Sequence, residues 1–169
     1  KGFQTVLDFM DNPTMEGSKI INPKTHTDAD SNEGKSDTVS PIQVSDNLKE
    51  FATAAISGIE KLKADNRSIS AEATILYDDI IAMDHLGNYY AAKIEAATQL
   101  AFFAKTRKKE HQENAVGLLE EAVIHWAKYG EVSEKHYKPQ MLARTKMIDW
   151  PAIGNDVKQD VELAKNMKL

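Results

Sequence analysis

The chain has 169 residues, a hydrophobic fraction of 41% and a formal net charge of −5, which suits one domain with a real core. The acidic balance argues against a nucleic-acid partner and an anionic membrane surface, both of which favour a basic face, and no run of about 18 apolar residues exists to span a bilayer. With no cysteine in the sequence, disulfides, thiolate nucleophiles and zinc–thiolate sites are excluded together.

The chain opens Lys-Gly-Phe, with no initiator Met and no signal peptide. We read it as a fragment of a longer protein. In residues 2–12, GFQTVLDFMDN, Phe3, Val6, Leu7 and Met10 fall at helical spacing. So short a helix needs something to dock on. Residues 13–40 are polar and punctuated by Pro13, Gly17, Pro23 and Gly34, which predicts a long loop or an arm lying across another surface. Residues 1–40 therefore read as an N-terminal arm, and 41–169 as a helical bundle.

Ser40-Pro41-Ile42-Gln43 is a capping box with proline at the first helical position. The helix it opens places Val44, Leu48, Phe51, Ala55, Ile59 and Leu62 on one predicted buried face and ends near Asp65-Asn66. Residues 68–105 form the longest segment, with no proline and one glycine, Gly87. One apolar row runs through Ile69, Ala73, Leu76, Ile80, Met83, Gly87, Tyr90, Ile94, Ala97 and Ala101. A second follows Ile75, Ala82, Leu86, Tyr89, Ala96, Leu100 and Phe103. Two apolar faces demand cover on two sides, so this helix, roughly 55 Å long at about 1.5 Å per residue, reads as a central pillar. Lys105, Arg107, Lys108 and Lys109 suit its negative C-terminal end, and Glu110 and Glu113 the start of the next helix.

The third helix begins near Lys109 and reaches Tyr129 or beyond, with Ala115, Leu118, Leu119, Ala122, Val123 and Trp126 inward. Gly130 either breaks it or is passed, and Pro139 stops it. Residues 138–149 form a connection of undefined shape. Asp149 is an N-cap and Pro151 lies in the first turn of a last helix, whose buried row is Ile153, Val157, Val161 and Ala164. The fold class expected is all-α: a mostly antiparallel bundle of four main helices with an irregular N-terminal arm.

Little in this pattern is chemistry. Glu121 with His125, Asp84 beside His85, and Glu110-His111 lack the paired Glu-x-x-His spacing of two-metal bundles, so exposed helix faces explain them better. Asp78-Asp79, Asp84 and Glu120-Glu121 are candidate carboxylates. Adjacent residues on a helix diverge by about 100° and do not form a glycosidase dyad; solvated helix faces explain these carboxylates better, although Asp79 with Glu121 across two helices stays open. No nucleophile motif and no Gly-rich phosphate loop occurs. We assign no catalytic residue, no metal and no cofactor. Tyr137, Arg144 and Trp150 lie in or beside the non-helical connection, where binding residues concentrate. They are the candidate carbohydrate or partner contacts, with helix packing as the competing role. Leu86-Gly87-x-x-Tyr90, with Ala96 and Ala97, also suggests one tetratricopeptide hairpin, without a second copy about 34 residues away.

Taken in order, SPIQVSDNLKEFATAAISGIEKL, AMDHLGNYYAAKIEAATQLAFFAKT, LLEEAVIHWAKY, Tyr137-Lys138-Pro139 and Ile148-Asp149-Trp150 resemble the C-terminal helical region of large, multi-domain glycoside-hydrolase-like proteins of Bacteroidetes-type bacteria, the α-glucuronidase-like or carbohydrate-binding kind. The resemblance implies an exported, periplasmic or extracellular protein. It implies a barrel of catalytic type upstream, packed against this region, with polysaccharide as a further partner. Catalytic carboxylates would lie in that upstream domain. The alternative function is a tetratricopeptide-like protein-interaction module. On either reading the pillar is scaffold, and partner contacts belong to residues 13–40 and 137–150.

Overall fold

The computed structural model describes residues 3–28, 37–65, 69–142 and 146–168. The fold is all-α apart from one small hairpin. Its elements are α1 (Val6–Asp11), α2 (Pro23–Asp28), α3 (Pro41–Asp65), α4 (Ala71–Thr106), α5 (Lys109–Ser133), β1 (Gln140–Leu142), β2 (Lys146–Ile148) and α6 (Trp150–Lys165). Among the described residues, no helix is long and apolar enough to cross a membrane.

The caps form where short-range chemistry dictates. Ser40 Oγ accepts from the Gln43 amide at 3.1 Å, and Gln43 Oε1 accepts from the Ser40 amide at 2.8 Å. Thr5 and Asp8 make a second capping box at α1. Asp149 caps α6, with proline in its first turn. The pillar α4 begins after its N-cap Ser70 and ends at Arg107, whose φ of 59° is left-handed. That conformation is uncommon for a residue with a Cβ, and it turns the chain sharply into α5.

The pillar is held on both sides, with α3 against one face and α5 against the other. Small residues permit the close approach. Ser45 Oγ donates to the Ala91 carbonyl and to Glu95, and a Cβ on Gly87 would meet the Leu48 carbonyl and Ala52 at ordinary contact distance. On the α5 side, Ala96, Ala97, Leu100 and Ala101 pack with Ala115 and Leu119, and with Val161 and Ala164 of α6. Val6 and Met10 of α1 complete this cluster, so the amphipathic N-terminal segment docks on the pillar as its pattern requires.

Several expectations need correction. The buried line of α3 is Pro41, Ser45, Ala52 and Ile59. Phe51 and Leu62, expected inside, are 67% and 52% exposed. Helix α5 runs through Gly130 without a break and ends at Ser133. The connection before α6 is an antiparallel hairpin in which Met141 pairs with Met147. The arm is more ordered than a plain loop: it holds α2, and an isolated bridge joins Ile20 to Val39. Much of its polar run, residues 29–36, lies outside the described residues.

Candidate functional site

Aromatic side chains converge where α5 ends and α6 begins. A Cβ on Gly130 would approach the Trp150 Cβ to 3.2 Å, so glycine makes room for the indole there. Trp126 Nε1 donates to the Trp150 carbonyl at 3.1 Å. Tyr129 meets Trp126 and Trp150 edge to face, with ring centroids 5.4 and 6.4 Å away. Beside this cluster opens a cleft of about 470 Å³ lined by Tyr90, Trp126, Tyr129, Trp150, Ile153 and Asp156, among others. Its walls come from α4, α5, α6 and the chain just before α6, so it exists only in the folded domain.

The three expected contact residues do not form one site. Trp150 is buried and belongs to the core cluster with Tyr89, Trp126 and Val157. It contributes to the cleft wall, while its own Nε1 is buried without a partner among the described residues. Tyr137 is partly exposed, does not line the cleft, and donates its hydroxyl to Asp79 at 2.8 Å. That contact pushes the phenol above its ordinary range. Arg144 lies outside the described residues.

The acidic row of the pillar is not an open solvated face. Asp78 accepts from His136 at 2.7 Å, and Asp79 from Tyr137. Asp84 holds Asn88 at 3.0 Å. The side chains of Asp78 and Asp84 are only 18% and 15% exposed. Asp78 and Asp79 therefore fasten the pillar to the segment just after α5, while Asp84 bonds within the pillar. Glu121 lies alongside the region of Tyr89, roughly 15 Å from Asp79 along the helix axis at about 1.5 Å per residue. The cross-helix carboxylate pair left open by the sequence is not formed.

His85 and His125 face one another across the α4–α5 seam with ring centroids 5.8 Å apart. The Nδ1 atom of each is buried without a hydrogen bond among the described residues, although that of His85 lies 3.3 Å from the Asp84 carboxylate. Burial lowers both pKa values, Asp84 opposing this at His85 and the neighbouring imidazole adding to it at His125. Among the described residues, no group of three or more His, Asp or Glu side chains is placed to hold a metal ion.

One feature was invisible in the sequence. Lys93, on the pillar, is paired with Asp160 of α6 at 2.8 Å, and both side chains are 1% exposed. The ammonium also donates to the Gln4 carbonyl at 2.6 Å and lies 4.0 Å from the Phe3 ring centroid. Asp160 Oδ1 accepts from the Val6 amide at 2.8 Å. The node binds arm, pillar and last helix together. Burial drives Asp160 upward and Lys93 downward, each against the pull of its partner. A lysine in a catalytic role needs access to substrate, and this one has a closed shell of protein partners.

In comparisons with protein-family models, curated proteins and solved structures, nothing matches the chain.

Proposed function

We propose that this chain is a non-catalytic helical accessory domain of an exported carbohydrate-active, glycoside-hydrolase-like protein. It works by packing against an upstream catalytic-type domain of the same polypeptide, with sugar contact at the aromatic end of the bundle as a secondary role. The periplasmic or extracellular location and the nature of the upstream domain rest on the sequence resemblance.

The observation that carries the packing role is a bare apolar strip on the α3–α4 hairpin, which includes pillar residues and lies outside residues 13–40 and 137–150, where the sequence places partner contacts. Phe51, Leu62, Leu76 and Met83 are all more than half exposed, and clustered exposure of large apolar residues marks an interaction surface. Helical spacing puts Val44, Phe51, Ala55 and Leu62 along one line of α3, and Leu76, Met83 and Tyr90 along one line of α4. The arm covers one end of both lines: Val44 shares a cavity with Phe9 and Pro13, and Tyr90 stacks with Phe9 at 6.2 Å. The bare strip continues that covered surface. A domain preceding the arm would reach the same face of the hairpin.

The open reading frame upstream of Lys1 tests this reading. It should encode a secretion signal and a barrel of glycoside-hydrolase type. A frame with neither overturns it.

A second reading, the tetratricopeptide-like interaction module, is favoured by one observation. Helices α3, α4, α5 and α6 pack chiefly each on the next, so the hairpin α3–α4 stands open at one side. Capture of an independent protein by the strip, with no binding to the upstream domain, would select this alternative.

A further inference from the structure

The aromatic cleft between α4, α5 and α6 has a feature that packing alone leaves unused. Asp156 lies on its wall, half-buried, and has no hydrogen-bond or ion-pair partner among the described residues. The hydroxyls of Tyr90 and Tyr129, on the same wall, likewise make no hydrogen bond among the described residues. Among the described residues, Asp156 is the one formally charged residue in the lining. The neighbouring ammonium of Lys93 is not available to it, being already paired with Asp160 and closed over by Phe3.

A half-buried carboxylate beside aromatic rings favours a positive charge for two physical reasons. The carboxylate supplies an unbalanced negative charge in a setting less screened than water. The rings add the negative faces of their π systems, the feature by which aromatic cages hold ammonium groups. The Trp126–Tyr129 and Tyr129–Trp150 ring planes meet at 65° and 76°, so rings at steep angles wall the cleft from more than one direction. A volume of about 470 Å³ falls within the range of small-molecule sites.

From this we infer that the cleft is a binding site for a small organic cation, an alkylammonium group seated against Tyr90, Tyr129 and the two tryptophans, with Asp156 as its counter-ion. The inference rests on the cleft and not on the α3–α4 strip, so it is independent of the packing role; it gives the cleft a cation in place of the secondary sugar contact of the accessory-domain reading.

Choline and its uncharged carbon isostere 3,3-dimethylbutan-1-ol test it as probes. Each is titrated into the intact chain at constant ionic strength, followed by tryptophan fluorescence and calorimetry. Choline should bind saturably and about tenfold or more tighter than the isostere, the margin expected for a cation partly desolvated between rings and a carboxylate. Asp156→Asn should remove that preference while leaving the circular dichroism and melting temperature unchanged. Equal affinity for the two probes would mean an apolar cleft without charge recognition and would overturn the inference. So would no saturable choline binding below about 10 mM, which corresponds to an affinity too weak for a built site, or a preference that survives in Asp156→Asn.

Discussion

Removing the charge of Lys93 with Lys93→Met strikes a polar node where arm, pillar and last helix meet. Asp160 would keep the Val6 amide but lose its counter-ion in a site 1% exposed. Breaking a buried pair by deleting one partner costs about 3–5 kcal/mol, a large share of the roughly 5–15 kcal/mol typical of a whole domain. Asp160→Asn reverses the imbalance, leaving the ammonium with the Gln4 carbonyl and the Tyr89 hydroxyl. The double variant should be far better than the sum of the two. Burial pushes both groups toward their neutral forms even in each other's presence, so the pair secures one arrangement of the arm more than it adds net stability. Urea unfolding of the four proteins gives the cycle. A coupling energy of about 2–4 kcal/mol is expected, within the range seen for contacting residues and somewhat above it for a buried charge. Additivity within about 0.5 kcal/mol, or single variants that lose less than about 1 kcal/mol against the cost stated for a broken buried pair, would refute the reasoning.

The glycines give opposite expectations. Gly117→Ala, with nothing within 4 Å of the new Cβ, should stabilise α5 by about 0.5–1 kcal/mol. Gly130→Ala places a Cβ 3.2 Å from that of Trp150, and overpacking of about 1–3 kcal/mol should outweigh the helix gain; a rise in melting temperature would contradict the packing described. The facing histidines set a pH dependence. Their folded pKa values lie below the ordinary 6.5, so the unfolded chain binds protons more readily. Their contribution is intact above pH 6.5 and fades as pH falls through the lowered values. The melting temperature should drop on acidification from about pH 7 to 5, and drop less in His125→Gln; an equal drop in both proteins would assign the effect elsewhere. Tyr137→Phe should move the melting temperature by no more than about 2 °C, as for a single exposed contact in a domain of this size, and a larger shift measured by calorimetry would show that Asp79 depends on it.

Local chemistry was legible in the sequence and distant pairing was not. The Ser40–Gln43 box and the Asp149 cap form within four residues, so short-range rules reach them. The docking of α1 follows from apolar spacing, and so does the two-sided packing of the C-terminal half of the pillar; toward its N-terminal end Ile69, Ile75, Leu76 and Met83, expected inside, are exposed because no described helix covers them there. For α3 the same reasoning holds for Ile59, which is buried, and fails for Phe51 and Leu62. The most apolar row holds Phe51 and Leu62, yet the pillar is met by Ser45 and Ala52, because small side chains let two backbones approach. A pattern of hydrophobicity cannot tell a face that packs closely from a face that waits for another surface. Lys93 and Asp160 each look like ordinary helix charges until the fold brings them together. The acidic row was misread for the same reason, since its partners His136 and Tyr137 follow the end of α5. The hairpin at residues 140–148 has strands of three residues each, too short for alternation to register. The sequence leaves open whether Gly130 breaks α5 or is passed, and its role is visible only with Trp150 against it.

The central claim is that the α3–α4 strip packs against an upstream domain of the same polypeptide. The direct measurement is a calorimetric titration of that upstream segment, produced separately, into the intact chain and into Phe51→Glu/Met83→Glu. Both substituted positions are about two-thirds exposed, so the variant should keep its fold and melting temperature. The account predicts saturable binding to the parent chain and at least about a hundredfold loss in the variant, the scale set by removing two apolar anchors from an interface centre. Equal binding by the two proteins, or no binding by the parent chain, would contradict it.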